Sequence, residues 1–189
     1  MARNAAPPRE VRIIGGQWKR SKLPVRDKPG LRPTPDRVRE TLFNWLGQDL
    51  SGWRCIDVFA GTGALGFEAA SRGATQVLVI EQDSELVELL RETKTRLRAD
   101  AVEVRRGNGL SVLASAPRGF DAVFLDPPFD AGLWDKALRA AEPALADGGA
   151  IYLEAPAEWT DVQLAPAGLA LERHLKAGAV HAHLLRRAA

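Results

Sequence analysis

The 189-residue sequence has one cysteine, one tyrosine, one methionine and three histidines, which leaves little material for redox or metal chemistry. A lone thiol, Cys55, excludes an internal disulfide, and with three histidines it cannot complete a thiolate zinc cluster. No metal is expected, and a reducing, cytoplasmic setting is. No apolar run approaches the ~20 residues that span a bilayer, so a membrane partner is not expected either. Arg3 and Arg9 precede no apolar stretch, and a secretory signal is not expected. What remains is ordinary globular material, 46% hydrophobic and 26% charged. That balance excludes a wholly disordered or collagen-like chain, and the length favours one domain, expected as a monomer.

Charge is unevenly placed. The chain as a whole carries +2, yet residues 1–40 carry 11 Lys and Arg against 4 Asp and Glu, while residues 41–189 carry 15 against 20. A basic arm on a mildly acidic body suits a polyanionic partner. Residues 1–10, with Pro7-Pro8 and no periodicity, read as a disordered lead. Two short extended pieces around Gly15-Gly16 between Val11 and Val25 read as a hairpin. Lys28 to Pro35 reads as a loop, and Thr34-Pro35 as an N-cap with proline at the first position of a helix ending near Gly47.

From Trp53 onward strands and helices alternate. Cys55–Phe59, Gln76–Glu81, Val102–Arg105, Phe120–Asp126 and Ala150–Glu154 read as strands. Two more are expected near Leu169–Leu175 and Ala179–Leu185. Helices are expected after Gly61, from Asp83 or Ser84, at Leu110–Ala114 and at Leu133–Leu145. This alternation predicts an α/β domain around a parallel sheet, with 48–189 as the main domain and 11–47 as a basic hairpin-and-helix extension. Ligands of such sheets bind at the C-terminal strand ends. Asp57 to Gly66, Glu81 and Asp126 to Phe129 all fall there.

Gly61-Thr62-Gly63-Ala64-Leu65-Gly66 matches the glycine pattern of a nucleotide loop, and Glu81 stands near the distance of a ribose-binding acid. Asp57 discriminates between ligands. A carboxylate beside a pyrophosphate is repelled by roughly 1–4 kcal/mol at ~4 Å, depending on the local dielectric. The same carboxylate favours a cation, which disfavours a dinucleotide oxidoreductase and suits S-adenosyl-L-methionine, a ligand with an ammonium, a sulfonium and no phosphate. Phe59, Gly61, Thr62, Gly63, Gln82, Asn108, Gly109 and Asp126 complete the expected cofactor-binding set. Glu81 would accept both ribose hydroxyls, and Asn108 would either face the adenine or simply make a turn.

Asp126-Pro127-Pro128-Phe129 closes the fourth strand of the body. An exocyclic amine on a purine is a poor nucleophile, because its lone pair is delocalised into the ring. The Asp126 carboxylate and the Pro127 carbonyl would accept its two N–H bonds, Pro128 would stiffen the corner, and Phe129 would stack on the base for ~1–3 kcal/mol. These four are the candidate catalytic residues for direct in-line methyl transfer, with positioning as the main source of acceleration. The base must be unpaired or flipped out to reach them.

The Asp57–Gly66 segment with Glu81 and Asp126–Phe129 resembles the class I methyltransferases that modify exocyclic amines. Arg12-Ile13-Ile14-Gly15-Gly16, Leu31-Arg32-Pro33-Thr34 and Asp36 through Leu46 closely resemble the bacterial RsmD family, over about residues 11–186. The resemblance implies a Rossmann-like, seven-stranded, mostly parallel sheet whose last strand is antiparallel. It implies methylation of N2 of one guanine, guanine 966, in 16S rRNA of the small ribosomal subunit or its assembly intermediate. Asp57, Gly61, Gly63, Glu81 and Asn108 would line the cofactor site, although the family usually carries Asp where Asn108 stands. Arg12, Lys19, Arg20, Lys22, Arg26, Lys28 and Arg32 would contact phosphates. Arg37 and Arg39 would reach RNA or pair with Asp36 and Glu40, and Trp18 would stack on a base or pack on the body. Two other readings stay open: an adenine-N6 methyltransferase on DNA or RNA, and a non-catalytic rRNA-binding assembly factor.

Overall fold

The structure, a computed structural model, describes residues 10–189. The lead expected at 1–10 lies outside the described residues except for Glu10, which belongs to a strand. β1 (Glu10–Arg12) and β2 (Lys22–Pro24) pair antiparallel, and α1 (Asp36–Trp45) follows. The body runs β3 (Arg54–Asp57), α2 (Ala64–Ser71), β4 (Gln76–Glu81), α3 (Ser84–Leu97), β5 (Val102–Arg106), α4 (Gly109–Ala114) and β6 (Phe120–Leu125). It ends with α5 (Trp134–Ala141), β7 (Leu145–Ala155), α6 (Asp161–Leu164), β8 (Leu169–Ala177) and β9 (Val180–Arg187). The sheet order is β5-β4-β3-β6-β7-β9-β8, and β9 runs antiparallel to both of its neighbours.

The strands are apolar on both faces because helices cover both. Ala122 and Phe124 of β6 and Tyr152 of β7 face one core layer with α1 and α2. Val123, Leu125, Ile151 and Leu153 face the other with α5. Among the described residues no helix is long and apolar enough to cross a membrane.

Two local expectations are corrected. The helix expected to run to Leu145 stops at Ala141 and continues only as a 3-10 turn, Glu142–Ala144. Pro143 has no N–H to extend the α-helical ladder, and Leu145 already begins β7. The cap of α1 falls on Pro35 rather than Thr34, with no side-chain cap bond. The hairpin expected around Gly15-Gly16 is present, with both glycines early in a long turn that closes through Ile13 and Ser21. These glycines dock on α2: the Gly15 carbonyl accepts from Ser71 Oγ at 2.6 Å. A Cβ on Gly16 would lie 1.8 Å from the Ser71 carbonyl oxygen, at φ +76°.

The arm is bolted to the body through Glu68. Its carboxylate accepts the N–H groups of Ile14 and Gly15 at 2.9 and 2.8 Å, and the guanidinium groups of Arg39 and Arg72 at 3.2 and 3.0 Å. Arg39, expected either to reach RNA or to pair with Asp36 and Glu40, is fully buried and pairs with Asp36, so it is withdrawn from the RNA-contact set. Its other nitrogens donate to Asp36 and to the carbonyls of Arg12 and Thr34. Trp18 packs on the core rather than presenting an open face.

Arg39→Ala leaves Glu68 buried with a partner removed, and is expected to cost about 3–5 kcal/mol, read as a lower urea midpoint. Arg39→Lys is expected to recover only part of it, because an ammonium cannot serve all four acceptors of the planar fork.

Candidate cofactor and base-binding site

Four strands carry carboxylates at or just beyond their C-terminal ends: Asp57 on β3, Glu81 on β4, Asp126 after β6 and Glu154 on β7. The glycine loop joins β3 to α2 beside them. Gly63 caps α2 in a left-handed conformation, φ +79°, and a Cβ there would meet Leu90 and Phe67 at 2.6 and 2.7 Å. Its form is dictated by packing as much as by any ligand.

Asp57 is 1% exposed, and its Oδ2 accepts the Gly66 N–H at 3.0 Å. It acts on a ligand by charge and by shaping the loop. Burial pushes its carboxyl up to about 7, the Gly66 N–H opposes this, and the charges of Glu81 and Glu154 add to the rise. Phe59, half-buried against the second core layer, also donates its N–H to Asp57. Asp126 is raised well above the usual carboxylate range by burial, then by Glu154 and Asp57.

Glu81, expected to offer both oxygens to a ribose, is already engaged. Oε2 accepts from Gly61 N–H at 2.9 Å, and Oε1 from Gln82 and Asp83 N–H at 2.8 and 2.9 Å. A carboxylate has about four acceptor positions, so about one remains. Asn108 caps α4, its Oδ1 accepting from the Ser111 N–H and hydroxyl at 3.0 and 3.2 Å. Gly109, expected at the cofactor, is packed closely on the body: a Cβ there would lie 2.1 Å from the Val58 carbonyl oxygen. Thr62 is buried in the loop, and Gln82 is exposed beside it.

After β6 Pro127 is buried, Pro128 is exposed, and Phe129 is 39% exposed. The Phe129 ring stands 6.0 Å from that of Trp134, tilted by 55°. Trp134 Nε1 donates to the Glu154 carbonyl at 3.0 Å, fixing this brace to β7. Trp134 and Glu154 escape the sequence reading, though Glu154 carries the same signal as the other three acids, a carboxylate at a strand's C-terminal end.

The remaining arm residues divide. Arg12, Lys19, Arg20, Arg26, Arg32 and Arg37 are exposed. Lys22 pairs with Glu10 at 2.9 Å, both still largely solvated. Lys28 lies between Asp83 and Glu85, 2.7 Å from each, and the two carboxylates hold its ammonium above its ordinary value. This contact lays the loop over the body, and Leu31 reaches within 3.1 Å of where a Cβ of Gly61 would stand.

A glycine loop after the central strand, an acid ending the neighbouring strand, and an antiparallel last strand inserted into a parallel sheet define a class I methyltransferase. The chain belongs to the RsmD family, described as Conserved hypothetical protein 95, which matches residues 11–186. Ribosomal RNA small subunit methyltransferase D of Escherichia coli K12 is 44% identical over 182 residues, covering 95% of this chain and 91% of the relative. Its Haemophilus influenzae counterpart is 41% identical, covering 80% and 86%. A solved Escherichia coli protein assigned as a methyltransferase superposes with a TM-score of 0.82 at 44% identity, over 94% of this chain and 98% of that one. The fold family implies S-adenosyl-L-methionine, and the donor set fits it: the crevice gathers acids whose charge burial disfavours, and a cation relieves them.

For Asp57 the folded carboxyl titrates near 7, above its unfolded value of 3.8. The folded state therefore holds a proton that the unfolded state has lost, and stability falls as pH rises between those values. Asp57→Asn removes that titration. Between pH 4 and 8 the cofactor-free variant is expected to lose about 2–4 kcal/mol less stability than the parent, measured by urea unfolding at each pH.

Proposed function

We propose that this enzyme uses S-adenosyl-L-methionine to methylate the exocyclic N2 of a single guanine, guanine 966, in 16S rRNA of the small ribosomal subunit or its assembly intermediate, acting as a monomer. The observation that carries the reading is the convergence of two segments at the C-terminal ends of neighbouring strands: the glycine loop with Asp57 and Glu81, and the Asp126–Phe129 corner with its braced aromatic ring. The names of the Escherichia coli and Haemophilus influenzae relatives support ribosomal RNA as the substrate.

When bound, the cofactor supplies a methyl group on a positively charged sulfur. Glu81 offers its remaining acceptor position to a ribose hydroxyl, and Asn108, with its oxygen given to the cap, offers its NH2 to a ring nitrogen. The main chain of Gly61, Thr62 and Gly63 forms the floor, flanked by Phe59 and Gln82. Asp57 contributes negative charge from beneath. Asp126 and the Pro127 carbonyl take the two N–H bonds of the target amine, restoring lone-pair density to its nitrogen. Phe129 stacks on the purine, held by Trp134, while Pro128 stiffens the corner. Holding the base in this way requires it to leave its stack.

Residues 11–47 serve as the RNA-binding extension and 48–189 as the catalytic domain. Arg12, Lys19, Arg20, Arg26, Arg32 and Arg37 are free for phosphates, with Lys22 joining once its solvated pair with Glu10 opens. Such contacts position the RNA without reading its sequence. Lys28 is given to Asp83 and Glu85 and serves the body instead.

The deciding experiment incubates the enzyme with methyl-labelled cofactor and unmodified small subunits, then maps the labelled nucleotide. Label on N2 of one guanine is expected; label on adenine N6, or none with the cofactor bound, overturns the reading. Asp126→Ala is expected to lower kcat by at least about 100-fold, in keeping with loss of a positioned proton acceptor, with cofactor affinity within several-fold by calorimetry. Replacing Lys19 and Arg20 with alanine should weaken RNA binding and flatten its dependence on log salt by about one unit for each phosphate no longer neutralised.

A further inference from the structure

Glu154 is 4% exposed, and nothing in the reaction above uses its side chain. Tyr152 Oη donates to its Oε1 at 2.7 Å. β6 and β7 pair in parallel with Leu125 opposite Leu153, so Asp126 and Glu154 follow side by side at the strand ends. Thr34, from the loop before α1, and Arg39 on α1 favour the Glu154 anion, and the charge of Asp57 acts on Asp126. The Tyr152 hydroxyl brings one proton and points it at Glu154. The contact with Asp126 is different in kind. Two carboxyl groups within hydrogen-bond distance attract only when one of them is protonated, and otherwise repel.

We propose that Glu154 is a positioning residue for Asp126: the two share a single proton in the cofactor-free enzyme, and they give it up to solvent when a cationic methyl donor occupies the crevice. The inference rests on the proposed function's assignment of the donor to this crevice. Glu154 is the more charged partner, because Tyr152, Thr34 and Arg39 all favour its anion, while Asp126 carries the proton. Asp126 can accept an amine N–H only after that proton has gone. A sulfonium beside the pair favours the doubly ionised form, whereas the demethylated product, whose sulfur is neutral, does so much less. Glu154 thereby ties the readiness of Asp126 to the presence of a transferable methyl group.

The test counts protons. Calorimetric titration of the whole enzyme at pH 8, where Asp57 is already mostly ionised, in phosphate and in Tris, gives the protons released per ligand bound. With S-adenosylmethionine the parent is expected to release close to one, and with S-adenosylhomocysteine less than half as many. Glu154→Gln donates an amide N–H to Asp126 and leaves it ionised beforehand, so release with S-adenosylmethionine should fall by more than half while Kd stays within several-fold. Equal release from the two ligands, or from parent and Glu154→Gln, overturns the shared proton. Failure of the parent to bind either ligand overturns the reading of the crevice itself. Should Glu154→Gln fail to fold, Tyr152→Phe decides the matter. Loss of a donor to Glu154 strengthens the pair's hold on its proton, so the midpoint of proton release moves to higher pH, and an unmoved midpoint counts against the proposal.

Discussion

Glu68 sits in the middle of α2, a helix whose eight residues are all buried, and its two oxygens collect two backbone N–H groups and two guanidinium groups. An ionised carboxylate in such a place is tolerable only when it is fully bonded. The partners come from far away in sequence: Ile14 and Gly15 from the long turn of the arm, Arg39 from α1. The same helix begins at the glycine loop. One short element thus carries the loop at its start and the arm along its flank, and the distance between them is set by packing. Arg72 adds a second cation beside Glu68 and covers the Phe43 ring at 4.7 Å. The arm is a wall of the same core, with Val11, Ile13, Leu23 and Phe43 packed alongside Phe124 and Tyr152.

The crevice stands in electrostatic contrast. Glu68 is matched by cations, whereas Asp57, Asp126 and Glu154 crowd together with hydroxyls and amides as their principal support and Arg39 as the nearby cation. Burial raises all three in proton affinity. That is an unfavourable arrangement for the empty protein and a favourable one for a positively charged ligand, so affinity and strain share one origin. A phosphate-bearing ligand would meet the opposite field.

Much of the frame is legible in the sequence, since the central strands announce themselves by apolar runs and β3 and β4 end in an acid. β4 falls on Gln76–Glu81 as expected, and the antiparallel last strand follows the family resemblance. The errors have physical causes. Arg39 looks like every other arginine of the arm; only the long-range approach of Glu68 distinguishes it. A charge within the apolar octet of α2 is the available sign that a partner must be found. The α5 boundary escapes because the apolar spacing continues past Pro143 although the hydrogen bonding cannot. Glu81 and Asn108 read as free to bind, whereas local backbone donors claim most of their acceptor capacity.

The Lys28 contact with Asp83 and Glu85 draws the loop before α1 across the body, with Leu31 resting over Gly61. The segment that joins the basic arm to α1 therefore also lies over the glycine loop. Any coupling through this segment between a ligand at the glycine loop and a polyanion on the arm would be equal in both directions, since linkage is reciprocal.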